Sequence, residues 1–350
     1  MPSLSAGAEP EVVGPYLSRV LDDARWERCE VALISGGKSN LTYGVRSPAG
    51  EVVLRRPPLG HLLPSAHDMR REHTVMAALA GTGVPVPAMR HFCDDPEVLG
   101  QPFYVMDRVD GHVVREALPA GYADAPEQRR AVGEGLVAVL ADLHAVVPAE
   151  VGLEQFGRPD GYLERQVRRW GRQWEATRLE GHEALDALSA DLAASLPAST
   201  RTGIVHGDYR LDNTMLHPTE PGRIAAVLDW EMSTLGDPVA DLGLLLVYWT
   251  QADDGGSRGD ALVVPSATSL EGFPTRAEVA ELYAARTGAD LSALPWAQAF
   301  GFYKLAVVCA GIVARAAGGS MLGDGFDGIA DRIGPLVELG RATLASGEVA

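Results

Sequence analysis

Apolar positions along this chain change period more than once. Near the N-terminus, VVGPYLSRVLDDA spaces them for one face of a helix. CEVALISGGKSNLTYGVRSPAGEVVLRRPP then reads as three short strands, VALI, TYGVR and EVVLRR. SPAG supplies a hairpin-like turn between the last two, and Pro57 and Pro58 end the third. SAHDMRREHTVMAALAG returns to helical spacing, with Ser65 or Asp68 as cap and Gly81 as terminator. VPVPAMRHFC and QPFYVMDRVDG are the next strands. Three strands, a helix and two strands describe a small antiparallel sheet carrying one helix.

Beyond residue 110 the period is mainly that of helices. PEQRRAVGEGLVAVLADLHAV, YLERQVRRWGRQWEATR, EALDALSADLAASL, RAEVAELYAARTG and PWAQAFGFYKLAVVCAGIVARAA all fit it. Two short strand-and-loop pieces, GIVHGDYRLDNTMLH and RIAAVLDWE, interrupt the series, and QADDGGSRGDALVVPSATSLEG reads as a polar, glycine-rich mobile loop. No internal repeat is evident. The expected fold class is α+β: a sheet lobe over 1–106 and a larger, mainly helical lobe over 107–350.

Composition narrows the partners. The 350 residues include 30 Lys and Arg against 47 Asp and Glu, a formal net charge of −17. Such an acid excess disfavours nucleic acid and anionic membrane surfaces as partners. Cys29, Cys93 and Cys309 are scattered and odd in number, which suggests reduced thiols and a cytoplasmic location. The N-terminus lacks the basic patch and apolar core of a secretory signal. LAVVCAGIVA is about half a membrane span in length and reads as a core helix. Nothing in the sequence sets the oligomeric state.

The candidate chemistry is concentrated between residues 205 and 241. VHGDYRLDNTML and AAVLDWEMSTLGDPVADL crowd Asp208, Asp212, Asp229, Asp237 and Asp241 around Asn213. Carboxylates repel one another, so either they sit apart as caps or something positive holds them together. Asp208 and Asn213, five positions apart after the apolar GIV, can be aimed at a common point by one loop. Asp229 ends a second apolar run, on a strand that can bring it beside them. Asn213 and Asp229 form an oxygen set suited to Mg²⁺, which takes further ligands from water and substrate phosphates. Asp208 is then left to orient a hydroxyl and accept its proton, the arrangement that phosphoryl transfer requires. His206 reads as a hydrogen-bonding residue behind the loop, in preference to a ligand or base.

The pieces VHGDYRLDN, VLDWEMSTLGDPVADL, ISGGKSNLTYGV and VVLRRPP resemble the aminoglycoside phosphotransferase and choline kinase-like family, which has a protein-kinase-like fold. LLPSAHDMRREH, PFYVMDRVDG, FGRPDGYLERQVRRW and LDWEMSTLGDP are most similar to the phosphotransferase domain associated with acyl-CoA dehydrogenases. The resemblance implies a bilobal enzyme using Mg²⁺ and ATP, or GTP, to phosphorylate a hydroxyl of a small molecule. It makes Asp208 the catalytic base and Asn213 and Asp229 the metal ligands. Asp241 becomes the brace of the catalytic loop, Asp237 a structural residue, and Arg210 and Asp212 loop residues that touch phosphate or support the loop.

In the nucleotide half, Gly36 and Gly37 let backbone N–H groups approach an anion, while Ser39 and Asn40 can add donors; an ordinary hairpin is the competing reading. Kinases carry a lysine on the third strand paired to a helix glutamate. Here Arg55 stands in that place, with Glu72 as partner. Alternation puts Val53 and Arg55 on one face and Leu54 and Arg56 on the other. The resemblance makes PFYVMDRVDG the hinge, with backbone near Met106 to Arg108 facing the base. On the acceptor side, Arg165, Arg168 and Arg169 lie beside Trp170 on a basic helix that either binds an anion or pairs with the chain's own acids. Expected acceptors are a hydroxyacyl-CoA-type metabolite, another small alcohol or an aminoglycoside. A non-catalytic nucleotide binder and a metal-dependent hydrolase built on His206 and Asp208 are the alternatives.

Overall fold

The computed structural model describes residues 5–35, 40–59, 68–199, 201–255, 258, 261, 267–317 and 328–350. They form two compact units. The first is Met1–Asp110 with the returning segment Ala225–Ser233; the second is Gly111–Ile224 with Thr234–Ala350. The segment carrying Asp229 thus groups with the unit that holds the five-stranded sheet.

In the first unit, strands β1 (Glu30–Ser35), β2 (Leu41–Ser47), β3 (Gly50–Arg56), β4 (Met89–Cys93) and β5 (Phe103–Asp107) form one antiparallel sheet in the order β1-β2-β3-β5-β4. Ser47 faces Gly50 across the β2–β3 turn, where the glycine takes φ +138°. Helix α1 (Pro10–Val20) contributes Val13 and Leu17 to a core that also contains Tyr43, Val45, Val52, Leu54, Phe103 and Val105. Helix α2 (Met69–Leu79) begins at Asp68, whose side chain accepts from the Arg71 N–H, and it buries Val75, Met76 and Leu79. The returning segment is stitched to this unit by Val227 N–H donating to the Pro85 carbonyl at 2.8 Å. Arg71 Nε also donates to the Ser233 carbonyl at 2.7 Å.

The second unit is mainly helical: α4 (Pro126–Ala145), α5 (Tyr162–Ala176), α6 (Ala184–Ala194), α7 (Val239–Tyr248), α8 (Arg276–Thr287), α9 (Leu294–Ala317) and α10 (Ile329–Ser346), the short α3 (Pro96–Leu99) belonging to the first. Helix α9 packs on α5, α6, α7 and α10. It is long and apolar enough to cross a membrane by composition, but 72% of its most apolar window is buried by its own chain, as a core helix requires. Gly243 admits the close approach of α7 to α9, since a Cβ there would lie 2.5 Å from the Ala297 carbonyl carbon. Short strands β6 (Gly203–Val205) and β9 (Thr234–Gly236) pair antiparallel and flank the loop of interest; β7 (Thr214–Leu216) and β8 (Ile224–Val227) follow that loop.

The stretch read as a mobile loop is partly anchored. Asp254 is held in bidentate fashion by Arg276 at 2.7 and 2.8 Å, and Arg258 is buried, donating to the Leu246 carbonyl at 2.6 Å. Polar, glycine-rich composition concealed these anchors, whose partners, Arg276 and the Leu246 carbonyl, lie outside the stretch.

Candidate functional site

The loop after β6 is built around one carboxylate. Asp241, in the first turn of α7, accepts from the His206 N–H at 2.6 Å and from the Gly207 N–H at 2.8 Å. Its Oδ2 lies 3.3 Å from Nε2 of buried His144 on α4. Burial alone would push the Asp241 carboxyl up. The bonds and charges of His144 and His206 and the Gly207 N–H outweigh that effect and hold it below the usual carboxylate range. Gly207 takes φ +83°, the left-handed turn that suits glycine. His206 is buried, and its Nδ1 accepts from the Asp208 N–H at 3.2 Å, so its place is behind the loop.

This scaffold brings the two sequence-selected residues together. Asn213 Nδ2 donates to the Asp208 carbonyl and to Asp208 Oδ2, both at 2.8 Å. The amide is therefore turned so that its Oδ1, a hard oxygen, is the end left for another partner. Arg210 Nε lies 3.5 Å from Asp208 Oδ2 and 3.1 Å from Asp212 Oδ1, and its guanidinium covers the Tyr248 ring at 4.7 Å. Burial pushes the Asp212 carboxyl up, against the pull of Arg210. Asp237 accepts from the Val239 N–H at 3.0 Å and from the Ser199 hydroxyl at 2.8 Å, which makes it a structural cap.

The first unit holds a separate charged cluster. Arg55 Nη2 donates to Asp229 Oδ1 at 2.6 Å, and its Nε lies 3.1 Å from Glu72 Oε2. Glu72 is fully buried and also accepts from Asn40 Nδ2 at 2.7 Å and Tyr104 Oη at 3.0 Å. Burial pushes its carboxyl up to about 7 despite Arg55. Arg55 is itself held above its ordinary value, because the neighbouring acids and Tyr104 outweigh its burial. Asp229 adopts φ 63° and ψ 60°, a left-handed conformation uncommon outside glycine and tolerated by aspartate. Arg56 points to the opposite face, where it bonds the Gly7 carbonyl. Strand alternation left open which of the two turns inward, and the structure shows that Arg55 joins Glu72.

Several expected residues are placed elsewhere or lie out of view. Gly36, Gly37 and Ser39 fall outside the described residues. Asn40 is buried, and its Nδ2 gives one of its two hydrogens to Glu72, so it braces that carboxylate. Met106 pairs with Val53 and Met89 inside the sheet, while the Arg108 side chain turns out to Glu51 at 3.2 Å. On α5, Arg165 is committed to the Asp160 and Arg158 carbonyls, and Arg168 to Glu164 at 3.3 Å. Arg169 is exposed and, among the described residues, has no hydrogen bond or ion pair. Sequence reasoning missed Tyr104, His144 and Lys304. Lys304 Nζ, on α9, donates to the Gly207 carbonyl at 2.6 Å, and no motif marks it.

Asn213 Oδ1 and the Asp229 carboxylate are the oxygen types Mg²⁺ accepts, and Mg²⁺ needs only one or two protein ligands when phosphates and water supply the rest. Among the described residues no group of three or more His, Cys, Asp or Glu side chains forms a fuller cage. Each residue by its own chemistry fits that ion.

The model of the phosphotransferase enzyme family (APH) matches residues 30–295. The chain belongs to this family. It is 35% identical over 325 residues to the mouse protein named acyl-CoA dehydrogenase family member 10, covering 92% of this chain and 30% of that one. It is likewise 35% identical over 319 residues to rat acyl-CoA dehydrogenase family member 11, covering 89% and 40%. The chain thus spans between about a third and two-fifths of the curated relatives it matches first. A solved structure from Ralstonia eutropha, provisionally described as an aminoglycoside phosphotransferase, shares 33% identity with a TM-score of 0.81 over 97% of this chain and 98% of that one. A thermostable mutant of aminoglycoside phosphotransferase APH(4)-Ia, solved with AMP-PNP and hygromycin B, aligns at TM-score 0.60 and 16% identity over 94% and 98%, and it attests the fold alone. The α+β, protein-kinase-like fold of this phosphotransferase family follows.

Proposed function

We propose that this phosphotransferase moves the γ-phosphoryl group of ATP to a hydroxyl of a small metabolite, with Mg²⁺ as cofactor. The observation that carries the reading is the locked Asp208–Asn213 pair on its Asp241 anchor. It leaves one carboxylate beside an outward amide oxygen on a loop that cannot easily shift. In this reading Asp208 accepts a hydrogen bond from the acceptor hydroxyl, fixes its lone pair toward the γ-phosphorus and takes the proton as the new O–P bond forms. The bond to the β-phosphate oxygen breaks and ADP leaves. Asn213 Oδ1 and Asp229 are the residues that would hold Mg²⁺, which when bound offsets the negative charge of the phosphates. Arg55, kept charged and fixed by Glu72, is the nucleotide-side cation in the place of the usual lysine.

Calorimetric titration with ATP, with and without Mg²⁺, followed by an alcohol panel read as ADP release, tests this reading. Mg²⁺-dependent binding and acceptor-dependent ADP release are expected. Hydrolysis with water as sole acceptor would contradict it, and so would failure to bind nucleotide.

A further inference from the structure

Lys304 carries a charge that, among the described residues, has no ion-pair partner. It lies on core helix α9, partly buried, and its ammonium donates to a neutral group, the Gly207 carbonyl, at 2.6 Å. Its other close contact is the face of Trp170 on α5, 5.4 Å from the ring centroid. Among the described residues no carboxylate comes within the 4.0 Å of an ion pair. An ammonium has three donors, and the structure uses one in a hydrogen bond. Burial pushes the Lys304 pKa down, with Arg169 and Arg210 acting in the same direction against Asp208 and Asp241. A partly buried cation whose hydrogen-bond partner is neutral is a place where an anionic ligand is favoured.

Its neighbours point the same way. Arg210 is engaged with Asp208 and Asp212, but Arg169, next to Trp170 on α5, is exposed and uncommitted. Lys304 therefore sits at the Gly207–Asp208 turn with unused donors, and Arg169 adds a second positive charge close enough to act on it. We propose that Lys304, with Arg169 and the Trp170 face, forms an anion-binding point beside Asp208, so that the reacting hydroxyl belongs to a compound bearing a phosphate or carboxylate. The same charges repel a polycationic aminoglycoside from the turn that would have to receive its hydroxyl. This inference rests on the phosphotransferase reading for the identity of the bound group as acceptor; the anion point itself does not.

Inorganic phosphate is the probe, titrated calorimetrically into nucleotide-free wild-type protein, Lys304→Met, Lys304→Arg and Arg169→Gln, with Mg·ATP titrated separately into each. Phosphate binding at millimolar concentration is expected for the wild type. Loss of a charge-assisted hydrogen bond should weaken it about tenfold in Lys304→Met. Lys304→Arg, which keeps the charge, should stay within about threefold of wild type, and Arg169→Gln should weaken binding about threefold. Mg·ATP affinity should be unchanged. Because Arg169 is exposed, its variant keeps the test open if Lys304→Met does not fold. Undiminished phosphate binding in both charge-removing variants, or none in the wild type, overturns the anion point. Parallel loss of Mg·ATP affinity overturns the acceptor assignment, because the anion is then the nucleotide's own phosphate. If the wild type binds phosphate through Lys304 but no ATP, the phosphotransferase reading fails and the anion point stands.

Discussion

Arg55 and Asp229, 174 residues apart in sequence, are joined by a 2.6 Å charge-assisted hydrogen bond. The same guanidinium also neutralises Glu72, which lies at the bottom of the cluster with no exposure to solvent. One planar cation thus serves two acids. An ammonium at the end of a flexible stem serves one geometry at a time.

Replacing Arg55 by methionine leaves Glu72 buried without its cation and should cost about 3 kcal/mol or more of unfolding free energy in urea. Arg55→Lys should recover part of that loss, because it restores charge without the two-pronged reach. A methionine variant as stable as the wild type would show that the pairing contributes nothing net.

Glu72 also sets a pH dependence. Its folded pKa, about 7, lies above the ordinary glutamate value, so the folded state takes up a proton before the unfolded chain does. Its contribution is therefore complete below the ordinary value and is lost as pH rises through about 7. Stability should fall by about 1–3 kcal/mol between pH 5 and pH 8 in the wild type. Glu72→Gln should show a flatter profile across that window; equal slopes would remove Glu72 as the cause.

Asp241 behaves in the opposite sense. Its folded carboxyl lies below the ordinary aspartate value, so its stabilisation is present above that value and drains away as pH falls through the folded one. Asp241→Asn places an amide where two backbone N–H groups converge. It should cost about 3 kcal/mol at pH 7, with the gap to wild type narrowing below about pH 4. Turnover should fall with it, since the anchored turn carries Asp208. Comparable thermal unfolding of variant and wild type at pH 7 would contradict the bracing role.

Asp208→Asn keeps the size of the side chain and removes its basicity. Acceptor phosphorylation should drop by about 10²–10⁴-fold, while Mg·ATP binding by calorimetry stays near wild type. Near-normal turnover would exclude Asp208 as the base. Asp229→Ala separates the other role: weakened Mg²⁺-dependent nucleotide binding is expected, and unchanged Mg·ATP affinity would rule out its assignment as a ligand.

The sequence by itself determined what short-range physics controls. Strand alternation in VVLRR separated Arg55 from Arg56, and the five-residue spacing of Asp208 and Asn213 permitted the 2.8 Å bond that joins them. The change of hydrophobic period marked out the sheet and the helices, because side-chain direction repeats within an element. Tertiary structure alone decided which distant groups meet. Asn40 and Tyr104 converge on Glu72, His144 reaches Asp241 across 97 positions, and Lys304 reaches Gly207 across 97 more. Nothing local to KLAVV distinguishes a core-helix lysine from a surface one. Its partner is a backbone carbonyl, which every residue has, and only the packing of α9 brings it there.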